Sequence, residues 1–96
     1  DLKVELSDIV LYNTFTPNGD GVNDVWEILN IGLRENHIVQ IYSRIGMKVF
    51  ESEDYPNNKW DGTRNGKPVP AGVYYYIIGL DGKKGEIIYG HITVIR

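Results

Sequence analysis

Residues 73–80 (Val-Tyr-Tyr-Tyr-Ile-Ile-Gly-Leu) and 87–95 (Ile-Ile-Tyr-Gly-His-Ile-Thr-Val-Ile) are rich in β-branched and aromatic side chains, and a turn-forming stretch, 81–85 (Asp-Gly-Lys-Lys-Gly), separates them. Two such runs around a short polar loop predict a β-hairpin. Apolar residues occupy both faces of each run, the pattern of central strands covered on both sides. Successive strand side chains point to opposite faces, so Tyr74 and Tyr76 share one face and Tyr75 takes the other, and one of these faces is expected to be core.

The rest of the chain follows the same short period. Residues 2–6 and 9–15 are strand candidates, split near Ser7-Asp8. Residues 25–31 alternate, with Trp26 and Ile28 on one face and Glu27 between them. Residues 32–36 are a polar turn. Residues 37–43 put Val39 and Ile41 on one face, and Arg44-Ile45-Gly46 connects them tightly to 47–52, a second predicted hairpin. The polar stretch 53–64 holds Trp60, whose ring is expected to pin it down, and 65–72 is a string of turn signals. About seven short strands with frequent turns predict an all-β sandwich, and 96 residues with 42% hydrophobic content suffice for one domain with a packed core.

Several function classes drop out on chemistry. A net charge of −3 with no basic run offers nothing to a phosphate backbone, so nucleic acid is not an expected partner. There is no cysteine, hence neither a disulfide framework nor a thiolate metal site. No run approaches the roughly 18 apolar residues of a membrane-spanning helix, and Asp1-Leu-Lys-Val-Glu5 is not a signal peptide. His37 and His91 sit in strands without a partner legible from the sequence, and Ser7, Ser43 and Ser52 lie in no nucleophile elbow. Phosphate-binding and dinucleotide-binding glycine motifs are absent. The expectation is a protein without enzymatic activity.

One loop concentrates special-purpose residues: Phe15-Thr-Pro-Asn-Gly-Asp-Gly-Val-Asn-Asp24. Set against the calcium-loop pattern D-x-D-x-D-G-x-x-D-x-x-D, Asp20-Gly21 supplies the D-G step. Asn18, Asp24 and Glu27 then fall on oxygen-donor positions, and Val22 offers a main-chain carbonyl. Thr16 stands where the first acid belongs. The competing reading has Asn18, Asp20 and Asn23 bonding nearby main-chain amides as Asx-turns, and the missing acid favours it. No cofactor is required on either reading; calcium is the one candidate. Trp60-Asp61-Gly62 poses a similar choice, between a sugar-stacking platform and a buried ring above a turn, and the turn is favoured.

Five stretches in order carry a family resemblance: Thr14-Phe-Thr-Pro-Asn-Gly-Asp-Gly-Val-Asn-Asp24, Ile41-Tyr-Ser-Arg-Ile-Gly-Met-Lys-Val-Phe50, Trp60-Asp-Gly62, Pro70-Ala-Gly-Val-Tyr-Tyr-Tyr76 and Gly90-His-Ile-Thr-Val-Ile-Arg96. Together they resemble the gliding-motility-associated C-terminal domain, the type B sorting domain of the type IX secretion system, over residues from about 9 to 96. The family commonly has Arg-Trp-Gly where this chain has Arg44-Ile45-Gly46. A looser likeness is to the Ig-like domain of flagellar hook-capping proteins.

The resemblance implies an Ig-like β-sandwich of about seven antiparallel strands, residues 1–96 forming a single C-terminal sorting domain at the end of a longer secreted protein. It implies a secretion signal that sends a large surface protein, such as a gliding adhesin, through the type IX translocon to the cell surface. Recognition by the translocon and a PorP/SprF-like outer-membrane partner would do the work, with no membrane span of its own. The expected recognition surface is Asn18, Asp20, Asn23, Arg44 and Asp61, with the last strand open to sheet-edge pairing. Two alternatives are an Ig-like carbohydrate-binding adhesive module, using Trp60 and the tyrosines, and a structural assembly domain like that of hook-capping proteins.

Overall fold

A computed structural model describes residues 9–19, 21, 24–33, 36–80 and 86–96. The expected strand at 2–6 and hairpin loop at 81–85 lie outside the described residues.

The closing pair of strands is the spine of the molecule. β8 (Gly72–Leu80) and β9 (Glu86–Val94) run antiparallel in unbroken register from Gly72↔Val94 to Leu80↔Glu86. β4 (His37–Tyr42) joins the other side of β8, from His37↔Leu80 to Tyr42↔Tyr75, and β5 (Lys48–Ser52) completes that edge. Alternation divides β8 as predicted, with Tyr74, Tyr76, Ile78 and Leu80 buried. The expected cover on both sides is not found: Tyr75, Ile77, Ile87 and Tyr89 stay exposed, because the second layer closes over one face of the sheet. In this register Val39 opposes Ile78 and Ile41 opposes Tyr76, so one face of the sheet is a continuous apolar layer.

A second layer of small ladders and turns covers that face. β1 (Val10–Leu11) pairs with β3 (Ile28–Leu29), and β6 (Thr63–Arg64) pairs with β7 (Lys67–Pro68). Single 3₁₀ turns occupy Ile31–Leu33 and Tyr55–Asn57. Trp26, Ile28, Ile31, Tyr55, Trp60 and Val69 descend from this layer into the core. The result is a sandwich-like all-β fold, with a large sheet on one side in the order β2 (Thr14–Phe15), β9, β8, β4, β5.

Several details depart from expectation. The described residues hold nine strands, several of them only two residues long, instead of about seven. The expected strand at 9–15 divides: β1 goes to one sheet and β2 (Thr14–Phe15) to the other, while the intervening Tyr12 carbonyl accepts the Trp26 indole N–H at 2.6 Å. β2 pairs with β9 in parallel, Thr14↔Thr93 and Phe15↔Val94, so the fold is not wholly antiparallel. The last strand, expected to be open to edge pairing, lies between β2 and β8 in the large sheet.

The expected strand at 25–31 shrinks to β3. Trp26 N–H donates to the Trp60 carbonyl at 2.9 Å, outside any ladder, and Asn30 at φ 70° turns the chain into the first 3₁₀ turn. Within 65–72 the turn signals resolve into the β6–β7 hairpin. Asn65 and Gly66 both have positive φ, 54° and 80°, as a type I′ turn demands.

Tyr55 ties the layers together. Its hydroxyl donates to the Trp26 carbonyl at 2.6 Å and accepts the Trp60 N–H at 3.0 Å, in the middle of the core. Burial pushes its pKa well above the ordinary tyrosine value, because the phenolate would lose its hydration there. Its own N–H donates to His37 Nε2 at 3.0 Å, which gives that histidine a structural partner.

Candidate functional site

Four of the stretches singled out in the sequence meet at one end of the sandwich. The meeting point is the guanidinium of Arg96. Its Nε donates to the Val69 carbonyl at 2.7 Å, Nη2 to the Gly62 carbonyl at 2.7 Å and Nη1 to the Pro17 carbonyl at 3.2 Å. The planar fork holds several donors in fixed directions, so one side chain can serve carbonyls from three loops. Val69 N–H also donates to the Gly62 carbonyl at 2.9 Å, and Ile95 N–H to Phe15 at 3.0 Å.

Gly62 is the tightest point of this junction. Its φ is +83°, and a Cβ there would lie 2.8 Å from Pro17 Cγ and 3.1 Å from Arg96 Nη2. The Trp-Asp-Gly stretch therefore needs glycine twice over, for backbone conformation and for space.

Trp60 lies beneath the junction and is fully buried. Its ring packs against Phe15 at 5.3 Å and Tyr74 at 5.5 Å in tilted and edge-on arrangements, and its indole N–H donates to the Thr63 carbonyl at 3.0 Å. An indole so enclosed offers no face to a sugar, so the stacking-platform reading of Trp60 is overturned. Tyr74 is likewise turned inward, its hydroxyl donating to the Pro70 carbonyl at 2.6 Å.

Three of the expected recognition residues, Asn18, Arg44 and Asp61, lie among the described residues. Asp61 is exposed, and its carboxylate accepts the Thr63 hydroxyl at 2.6 Å and the Thr63 N–H at 3.2 Å. Arg44 is exposed in the β4–β5 turn, which Ser43 closes by exchanging main-chain bonds with Met47 and Gly46. Asn18 is exposed, and its N–H donates to the Thr16 carbonyl at 2.8 Å. Asp20 and Asn23 lie outside the described residues, as does Val22 of the calcium set.

The two remaining members of that calcium set serve different partners. The Asp24 carboxylate accepts the main-chain N–H groups of Gly19 at 2.9 Å and Gly21 at 2.6 Å, bracing the loop from within. Glu27 instead receives Lys59 Nζ at 2.9 Å, a half-exposed pair that links the loop's exit to the segment before Trp60.

Two parts of this surface were not singled out from the sequence. The Arg96 clamp has no local signature, since a guanidinium after an apolar strand could point anywhere. Arg64 and Lys67 face each other across the β6–β7 hairpin. The Asn65-Gly66 pair between them was a usable signal, because a two-residue type I′ turn sets its flanking residues opposite each other.

In a comparison with family models, residues 9–94 match the CHU_C type IX secretion signal domain; the resemblance had suggested about 9–96. A search of curated proteins finds no match for the chain.

Proposed function

Since this chain belongs to the CHU_C type IX secretion signal domain family, we propose that it acts as a C-terminal export signal that is recognised in its folded state. The match over 9–94 carries this reading, because it spans nearly the whole chain, not one motif. The family implies contact with the secretion machinery and a surface or secreted destination. No described helix is long and apolar enough to cross a membrane. Passage across the outer membrane as part of a large surface protein, with a PorP/SprF-like partner, is the specific form proposed here.

The mechanism is recognition without chemistry. Arg96 and the buried Trp60 support a rigid platform, on which loops presenting Asn18, Asp20, Asn23, Arg44 and Asp61 are met by the partner. Rigidity matters because a preformed surface is not charged the entropy of ordering at the moment of binding.

A reporter enzyme fused ahead of residues 1–96, in a strain with type IX machinery, is expected to reach the cell surface or medium. The fivefold alanine variant at Asn18, Asp20, Asn23, Arg44 and Asp61 is expected to cut export at least about tenfold while the melting temperature stays within a few degrees of wild type. Undiminished export of that variant would remove the surface assignment, and an intracellular wild-type fusion would remove the export reading.

We also infer that the loop at 15–24 is held by hydrogen bonds from its own main-chain amides to the Asp24 carboxylate and needs no calcium. The two amides gathered by Asp24 support this. Millimolar calcium against chelator is expected to leave the melting temperature unchanged, since a ligand specific to the folded form must raise it. A clear rise would restore the calcium assignment to Asn18, Asp20, Val22, Asp24 and Glu27.

A further inference from the structure

A cleft of about 530 Å³ opens between the β4–β5 turn, the β6–β7 hairpin and the start of β8. That volume is in the range of roughly 300–1,000 Å³ usual for ligand sites. Its walls include Met47, Val49, Val69 and Val73, while Arg44, Arg64 and Lys67 bring three cations to it, and no carboxylate lines it among the described residues. This local balance is opposite in sign to the chain as a whole, whose net charge is −3.

Two observations set the cleft apart from ordinary solvated surface. Arg64 and Lys67 are held directly opposite each other in the β6–β7 register, where like charges repel. Neither they nor Arg44 forms an ion pair with another described residue, although surface carboxylates pair with Lys48 and Lys59 elsewhere. Ile45, which also lines the cleft at the tip of its turn, is 83% exposed, and Met47 beside it is 43% exposed.

We propose that this cleft takes an extended acidic segment of a protein partner, with alternate carboxylates meeting Arg44, Arg64 and Lys67 and the intervening apolar side chains covering Ile45, Met47 and Val49. Charge complementarity selects an anionic occupant. The mixed lining selects a polypeptide: an apolar wall of Met47, Val49, Val69 and Val73 stands beside the three cations, and a peptide carries side chains that answer both. An extended segment laid in the cleft points successive side chains to opposite sides, so its carboxylates can turn to Arg64 and Lys67 of the β6–β7 hairpin while its apolar residues turn to Met47 and Val49 of the β4–β5 hairpin. Assigning the segment to the export machinery rests on the export reading; the binding chemistry is tested independently of it.

The probe is a fluorescein-labelled peptide, Glu-Val-Glu-Leu-Glu-Val-Glu, titrated with residues 1–96 and followed by anisotropy, beside the matching Lys-Val-Lys-Leu-Lys-Val-Lys peptide. The acidic peptide is expected to bind, and R44A/R64A/K67A to weaken it at least about tenfold with the melting temperature held. Raising salt from about 50 to 300 mM should weaken it severalfold, as screening of exposed charges requires. R44E/R64E/K67E should exchange the preference for the lysine peptide.

Absence of binding at millimolar peptide, or equal binding by the triple alanine variant, overturns the proposal. So does binding to phosphatidylglycerol vesicles without binding to the peptide, which would assign the cations to a lipid headgroup. In the reporter fusion, loss of export in R64A/K67A places the segment in the export machinery, and unchanged export removes it from there. A wild-type fusion that is not exported defeats the export reading alone, and the titration then decides the cleft.

Discussion

Trp60→Ala is expected to lower the unfolding free energy by about 3–5 kcal/mol, the range for removing a large buried aromatic. The ring is fully buried, it packs on Phe15 and Tyr74, and its indole N–H satisfies the Thr63 carbonyl. Alanine removes these contacts and leaves a cavity between the two layers. The second layer cannot collapse to fill it, because Tyr55 and Trp26 hold the neighbouring main chain in place through the Tyr55 hydroxyl bonds. A domain of this size is stable by only about 5–15 kcal/mol. The melting temperature should therefore fall by about 12–40 °C, since 1 kcal/mol shifts it by roughly 4–8 °C in a domain of 60–100 residues. Trp60→Phe should recover part of the loss while leaving the Thr63 carbonyl without its indole donor. Thermal unfolding followed by circular dichroism measures both. A fall of less than about 5 °C for the alanine variant would show that the ring is not a core element.

The second large effect is expected at Gly62. An L-residue there must adopt φ near +83°, which costs about 1–2 kcal/mol for a side chain with a Cβ. The added methyl also enters space held by Pro17 and Arg96, and overpacking of this kind costs about 1–3 kcal/mol. Together Gly62→Ala should destabilise by about 2–5 kcal/mol.

Part of that loss should depend on Arg96, because its guanidinium is one of the groups displaced. A double-mutant cycle with Arg96→Ala is therefore expected to be non-additive: once the guanidinium is gone, the glycine substitution should cost less. Additive losses would mean that Gly62 and Arg96 act separately, and a Gly62→Ala protein melting with wild type would refute the crowding at this junction. The same cycle in the export assay tests whether the clamp merely stabilises the fold. A variant folded at the assay temperature yet poorly exported would show that the arrangement of the three loops matters to the partner.

Such junctions mark the limit of what a linear reading can supply. The tyrosine run at 74–76 was legible because strand side chains alternate, and burial followed that alternation residue by residue. The hairpin through Arg44-Ile45-Gly46 was legible because its turn chemistry is local. Trp60 was expected to pin its loop, and it does so from full burial. By contrast, the run at 9–15 looked like one strand because nothing within it shows that Tyr12 must give its carbonyl to Trp26. The hairpin at 63–68 was within reach, since Asn65-Gly66 is a strong local signal, but its strands are too short to show alternation.

By itself, then, the sequence determined the class and the longer strands. Alternating apolar residues and turn residues at short intervals require a β-layered core, and five ordered stretches carry the resemblance to the family. Only the tertiary structure decided the assembly. The parallel pairing of β2 with β9, the gathering of Pro17, Gly62 and Val69 around Arg96, and the meeting of Arg44 with Arg64 and Lys67 at one cleft all join residues far apart in the chain. The physical reason is one of range. Side-chain period and turn dihedrals are set by neighbours, whereas which carbonyl meets which guanidinium is set by how the layers close over the core.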